Sequence, residues 1–521
     1  MRRSVSKIII AVIVIAAAAA VLYKPRPSPV GTTAESAAVG RKTLRVGIVT
    51  LPADRGYPWN TTGVPNIFTH RAMFDGLTYV TAEGKVEPFL ATSWQQVDPL
   101  TWRFKLRDGV KFQNGVPFTA DAVVFAVTHL TRPGGEIDLT ARELSGLKSA
   151  EAEDAHSVLI HTKRPEPLLP AALELLAMVE PGQFQRLGRE GFSAQPIGTG
   201  PFTLVRWNPA GADFVAFKDS WRAPKVDALE LIEMPEIAAR VQGVLAGRVD
   251  VAVSLGYEEV KAIQAAGGGM NATLDSGVLG VVFVLTKIPK DHPLQDRRVR
   301  QALNYAVDKD SYIKALYGGF SRAASQPAVA SSFGFNADVK PYPYDPDRAR
   351  AMLKEAGYAN GFAFTADVPV GGGASLAEAY QLVASDLAKV GVAMTIRAIS
   401  VPQLNRGVLQ GEWTNEAFGT NYGAQRTTDA LRAMRLHSCL HPNPWYCNQQ
   451  IQPAIAAAQN EGDLDTRRRL TEQIMATYHE EAPAIWMHEI PIFEGLGAGV
   501  RNLRNDFNVI RYDLIELAND K

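Results

Sequence analysis

The chain of 521 residues has no excess charge of either sign, 54 lysines and arginines facing 54 aspartates and glutamates. Without a basic surplus there is no general attraction for a phosphate backbone, which sets aside a nucleic-acid binder. Nor does the chain hold a GxSxG elbow, an HExxH pair, a P-loop or a paired CxxC. No activated nucleophile, zinc-hydrolase helix or phosphate cradle is visible, so an enzyme is not expected. The fragment GLGAGV at Gly495 lacks the third-glycine spacing and the following amphipathic helix of a dinucleotide site. It reads as a loop between strands, and no cofactor is expected. His479, Glu480 and Glu481 read as a solvated helix end before Pro483. There is no tandem repeat.

Long hydrophobic runs are scarce too. After Arg2, Arg3 and Lys7 the stretch Ile8 to Tyr23 is apolar for 16 residues, short of the ~20 that span a bilayer and longer than the ~7–15 of an ordinary signal core. Residues 1–23 are an export signal, read either as a cleaved peptide or as an uncleaved anchor. No cysteine follows the run, which argues against lipid attachment. Residues 24–42, rich in proline, serine, threonine, glycine and alanine, form a flexible tether, and folding begins near Thr43. With 46% apolar and 21% charged residues the composition is that of a soluble globular protein. Its length calls for two or three domains.

What is present alternates between strand and helix signals. LRVGIVT (44–50) is a short β-branched run that suits a buried strand. In TWRFKLRDGVKF (101–112), Trp102, Phe104 and Leu106 alternate with Arg103, Lys105 and Arg107, which predicts a half-exposed hairpin turning at Asp108-Gly109. Thr119 then caps a helix to about Thr128. Val299, Ala302, Leu303, Ala306 and Val307 form one buried helical stripe. Asp345, Pro346 and Gly357 are the cap, first position and terminator of another helix, with Ala349, Met352, Leu353 and Ala356 as its stripe. Interleaved with the strand-like runs GVLGVVFVL, FAFTADV and VAMTIRAI, these helices give a mixed α/β fold.

Both cysteines and two of the nine histidines fall within RLHSCLHPNPWYC (435–447). Three readings are open: a Cys439–Cys447 disulfide, a zinc site completed by His437 and His441, or two free thiols. Export to an oxidising compartment and the lack of CxxC knuckles favour the disulfide. Closing a loop of about nine residues would contribute about 2.5 kcal/mol on the chain-entropy estimate.

Several motifs are more specific. EPFLATSW (87–94), TWRF (101–104), LRDGVKF (106–112), PFTA (117–120), IGTGPF (197–202) with Trp207, LAGRVD (245–250), PLQDRRVRQAL (293–303), YDP (344–346) and EAGY (355–358) occur in this order. Together they resemble, over nearly the whole mature length, the extracytoplasmic solute-binding proteins of family 5. These are the dipeptide-, oligopeptide- and nickel-binding proteins of ABC importers. The resemblance implies a periplasmic-binding-protein-like two-lobed clamp with an extra domain inserted in the N-terminal lobe. Residues 43–66, 197–285 and 489–521 would form lobe I, 67–196 the inserted domain and 286–488 lobe II. GTGPF would serve a tight turn and strand entry rather than touch ligand.

The implied function is capture of a small polar solute, peptide-like foremost, by a periplasmic monomer that delivers it to an ABC permease and its ATPase subunits. An uncleaved signal would tether it to the inner membrane. The resemblance also implies that Cys439 and Cys447 are a disulfide, and that the ligand loop lies at EAFGTNYGAQRTTDAL (416–431). Thr420, Asn421, Tyr422, Arg426 and Asp429 are candidates there, facing Tyr57, Trp59 and Asn60 from the other lobe. The acid that would hold a peptide ammonium is missing at Gly423, Ala424 and Gln425, and an unpaired buried ammonium is costly. Arg426 suits a carboxylate or phosphate, which admits opine or sugar-phosphate conjugates. Two further readings stand beside it: a nickel or metal-chelate binder using His437 and His441, and a scaffold or chaperone with no small ligand.

Overall fold

The structure, a computed structural model, describes residues 41–60, 64, 66–370, 375–423 and 427–518. The signal and nearly all of the tether lie outside the described residues, as does Arg426. Among the described residues no helix is long and apolar enough to cross a membrane.

The strands in chain order are β1 (Thr43–Ile48), β2 (Thr78–Val80), β3 (Val86–Pro88), β4 (Ala91–Asp98), β5 (Thr101–Leu106), β6 (Leu147–Asp154), β7 (Ser157–Thr162) and β8 (Phe202–Asn208). They continue with β9 (Gly211–Ala216), β10 (Ala228–Glu233), β11 (Val251–Leu255), β12 (Gly269–Phe283), β13 (Phe362–Pro369), β14 (Val392–Ile399), β15 (Ala417–Gly423) and β16 (Ala484–Leu496). A ten-stranded sheet runs β14-β13-β15-β12-β16-β11-β1-β10-β9-β8. β1 lies parallel between β10 and β11, with Leu44, Val46 and Ile48 fully buried, as expected where a parallel strand is covered on both faces. At the other end β13 and β14 are also parallel.

A separate four-stranded sheet, β4-β5-β7-β6, is built within residues 67–196. β5 buries Trp102, Phe104 and Leu106 and turns Arg103 and Lys105 outward, as its alternation predicts. Its partners differ from the local hairpin read from sequence. β5 pairs with β4 before it and with β7 some fifty residues after it, while beyond Gly109 only an isolated Lys111↔Pro117 bridge forms. The Asp-Gly turn is real, Gly109 having φ +71°. The chain after it folds back on itself instead: the Phe112 amide donates to the Val116 carbonyl at 2.8 Å and the Phe118 amide to the Val110 carbonyl at 2.9 Å.

The expected helices form. Ala120–Thr131 follows Thr119, and Arg297–Tyr305 buries Val299, Ala302 and Leu303. Pro346–Glu355 begins where the Asp345 carboxylate accepts from the Arg348 amide at 2.9 Å. One helix end departs from expectation. His479, at the end of Leu464–Glu481, is not solvated: its ring stacks on Tyr342 at 4.2 Å, and its Nδ1 lies 2.7 Å from the Ser325 carbonyl. The GTGPF glycines allow close approach. A Cβ on Gly198 would come within 2.2 Å of the Met73 carbonyl, and the Gly200 amide donates to that carbonyl at 2.9 Å. The motif thus seats the start of β8 directly on the end of the helix Asn66–Met73.

A buried ion network fastens the same corner. Arg222 donates to Asp75 at 2.9 Å through Nε and to Asp513 at 2.8 Å, while Thr199 and Trp221 also donate to Asp75. Three distant stretches of chain meet at one guanidinium. Arg222→Met leaves two buried carboxylates without their shared cation and is expected to lower the unfolding free energy by about 3–5 kcal/mol, measured by urea denaturation.

Candidate functional site

β12 and β16 are long enough to run through both halves of the large sheet. Gly269 to Leu274 pair with Leu496 back to Pro491, and Val278 to Val282 pair with Glu489 back to Ala484. Between these ladders the register shifts, so Asp275, Ser276 and Gly277 have a single residue, Ile490, between the flanking pairs. A bulge of this kind bends the strands and weakens the ladder locally. A cavity of about 340 Å³ opens beside it.

The cavity wall comes from both sides of the bulge. Ser254, Leu255 and Gly256 at the end of β11, Asp275, and Pro491 to Phe493 form one side; Gly419, Thr420 and Asn421 of β15, with Pro369, Leu376, Tyr380 and Val401, form the other. The first side is held rigidly. Ser254 adopts a left-handed φ of +55°, and the buried Arg240 donates to the carbonyls of Met234, Pro235, Val253 and Ser254 at 2.6–3.0 Å. Strain of this kind persists only where the surroundings fix it, and it clusters at binding sites.

Electrostatically the wall is spare. Among its described residues there is no lysine or arginine. Its carboxylate is Asp275, which accepts from the Ser276 amide at 2.7 Å. His488 also lines the cavity, with Nδ1 3.1 Å from the Tyr312 hydroxyl. Burial pushes its pKa down to about 3, so the imidazole is neutral throughout the physiological range. The remainder is mostly aliphatic and aromatic, as in small-molecule sites generally.

Of the residues singled out from sequence, Thr420 and Asn421 stand in this wall. Tyr422, on the strand face opposite Asn421, is 1% exposed and packs on His437 with ring centroids 3.8 Å apart. Asp429 lies in a smaller cavity of about 90 Å³, where it accepts from Arg467 at 2.8 Å. Tyr57 and Trp59 are core residues rather than wall. The Tyr57 hydroxyl donates to the buried Asp138 at 2.9 Å, and the Trp59 indole donates to the Ala177 carbonyl at 3.2 Å and stacks on His129. Asn60 donates to Asp54 and accepts from the Leu139 amide. The loop after β1 faces residues 67–196, so its aromatics meet that segment's core.

Cys439 and Cys447 form the disulfide. His437 and His441 both pack against Trp445. Among the described residues no group of three or more histidine, cysteine, aspartate or glutamate side chains is placed to hold a metal. Sequence reasoning missed Asp275, Ser254 and the β16 wall. Their one signal was an acid inside a strand-like run, at LDSGVLGVVF (274–283).

A large sheet bulged at its middle, with a largely apolar cavity beside the bulge, is the architecture of a two-lobed clamp. Residues 85–433 match the family described as bacterial extracellular solute-binding proteins, family 5 (middle), and the chain belongs to that family. It is 27% identical over 437 residues to a glutathione-binding protein, GsiB, of Escherichia coli O1:K1, an alignment covering 80% of this chain and 83% of that protein. Two solved structures share the fold. DppA from Helicobacter pylori in complex with the peptide STSA has a TM-score of 0.73 at 21% identity, covering 92% of this chain and 99% of that one. NikZ from Campylobacter jejuni in complex with Ni(L-His) has a TM-score of 0.74 at 21% identity, covering 91% and 98%.

Two measurements test this region. Glu494 of β16 is fully buried, accepting from Asn271 at 2.7 Å and from Asn505, and burial pushes its pKa up to about 7. The folded protein therefore holds a proton that the unfolded chain releases near the ordinary glutamate range. Its stabilisation is full below that range and is lost as pH rises through about 7. The melting temperature of the native protein should fall relative to Glu494→Gln between pH 5 and 8. Separately, Cys439→Ser with Cys447→Ser should lower stability by about 2.5 kcal/mol, with no further loss on adding reductant.

Proposed function

We propose that the protein captures a peptide or peptide-like small solute in the cavity beside the β12–β16 hinge and delivers it to an ABC permease and its ATPase subunits. The proposed division is lobe I at residues 43–66, 197–285 and 489–521, the inserted domain at 67–196 and lobe II at 286–488. The protein acts as a monomer outside the cytoplasmic membrane, and an uncleaved signal segment would tether it there.

The observation that carries the peptide reading is the edge of β15. β13 pairs with β15 only at Ala417 and Phe418, whereas Gly419, Thr420 and Asn421 line the cavity. Among the described residues the strand has no neighbour on that side beyond Phe418, and an extended peptide can complete such an edge with main-chain hydrogen bonds. A cavity of about 340 Å³ suits a short peptide and not a long one. The names of the relatives, a glutathione-binding protein and a DppA in complex with a peptide, agree with this reading. The described wall holds a carboxylate, Asp275, and a carboxylate suits a cationic group of a peptide-like solute.

A second reading, a metal chelate, draws on NikZ in complex with Ni(L-His) and on His488, a neutral imidazole in the wall. Calorimetry and thermal shift across di-, tri- and tetrapeptides, glutathione, an opine, a sugar phosphate and nickel–histidine separate the two. A short peptide at 100 times its Kd should stabilise the protein by about 2.7 kcal/mol. Asn421→Ala should weaken that peptide about tenfold, the worth of roughly one hydrogen bond. Binding of nickel–histidine with no response to any peptide would transfer the assignment to the chelate.

A further inference from the structure

The segment 67–196 contributes little to the solute cavity, yet it grips the far half of the molecule through a charged contact. Glu143 ends the helix Leu139–Glu143. Its two oxygens accept from Arg432 at 3.0 and 2.7 Å, and one accepts from Arg435 at 2.9 Å. Both arginines belong to the helix Leu431–His437, which follows the cavity strand β15. Arg432 has a second attachment: it donates to the carbonyl of Gly423, the last residue of β15, at 2.8 Å. One guanidinium therefore holds the end of the strand whose Thr420 and Asn421 line the cavity, and simultaneously the carboxylate of the segment opposite.

The contact joins charged side chains of two separate segments. It is polar, bordered by the small cavity of about 90 Å³ in which Glu166, Asp429 and Arg467 also lie. Glu143 and Arg432 are each only 14% exposed, so salt and water screen their attraction less than at a free surface. Burial alone would push the Glu143 carboxyl up; the two guanidiniums outweigh it and hold the group below the ordinary carboxylate range. A second touch point is steric. Gly84, at φ +79°, lies so close to the Ser331 carbonyl that an added Cβ would come within 2.1 Å.

We propose that Glu143, Arg432 and Arg435 form a closure clasp, through which residues 67–196 lengthen the residence time of a solute they do not touch. Arg432 is the positioning residue that ties the clasp to the end of β15. The clasp engages when the hinge closes, and rising ionic strength weakens it. This rests on the solute-clamp reading above, but its first test needs no solute.

Small-angle scattering of the ligand-free full chain at low and high sodium chloride reads the clasp directly. Glu143→Gln should give a larger radius of gyration than the native protein at low salt and should abolish the expansion that salt produces. Arg435→Gln should act in the same direction, and Arg435→Lys, which keeps the charge, should restore the native value. With glutathione as probe, Glu143→Gln should raise the dissociation rate about tenfold, the loss expected for a charge-assisted bond. A radius of gyration and salt response identical in native protein, Glu143→Gln and Arg435→Gln would overturn the clasp. Failure of glutathione or any peptide to bind, with the scattering result as expected, would overturn the peptide reading and leave the clasp standing.

Discussion

Everything in this molecule that bears on function depends on the pairing of β12 with β16. These two strands belong to both halves of the sheet at once, and each keeps a firm ladder at either end and a weak one in the middle. The weakness is chemically defined. Pro491 has no amide hydrogen to give, and the three residues Asp275 to Gly277 share one opposing position. A second shift follows between Leu279 and Gly280, so the ladder is interrupted over a short central stretch beside the cavity.

The two sides of the cavity are built for different tasks. Around Ser254 the chain is strained and held by the buried Arg240, which donates to four backbone carbonyls. β15, by contrast, ends in an open edge followed by a helix whose arginines reach across to residues 67–196. One side is thus fixed by buried hydrogen bonds, while on the other β15, among the described residues, pairs with β13 only at Ala417 and Phe418. The neutral His488 and the mostly apolar lining keep the interior of low polarity, which strengthens whatever few hydrogen bonds form there.

Local chemistry was readable in the sequence and long-range placement much less so. The cap, stripe and stop of Pro346–Glu355 lie within a dozen residues and were legible in full. So were the buried and exposed faces of β5, because side-chain alternation is a property of one strand. The partners of β5 were not, since they come from sequence positions on both sides, one of them some fifty residues away. The family motifs located β15, and with it Thr420 and Asn421, but Tyr422 is taken into the core by packing on His437 and Trp486, two partners distant from it in the chain. Tyr57 and Trp59 show the opposite difficulty: aromatics with a polar tip suit a pocket and a core equally, and only the position of residues 67–196 decides between them. Asp275 and the β16 wall are separated by more than two hundred residues in the chain, and nothing local announces that they meet.

The Cys439–Cys447 bond joins a loop that carries Trp445 against Phe418 of β15, and whose Asn443 reaches back to the Leu409 carbonyl. Such a bond persists where thiols are oxidised and not in a reducing cytoplasm. The edge that carries β15 is therefore fastened by a bond whose persistence depends on the redox state of its surroundings. In an oxidising compartment the bond ties this loop down against β15, and under reducing conditions the same packing must hold without it.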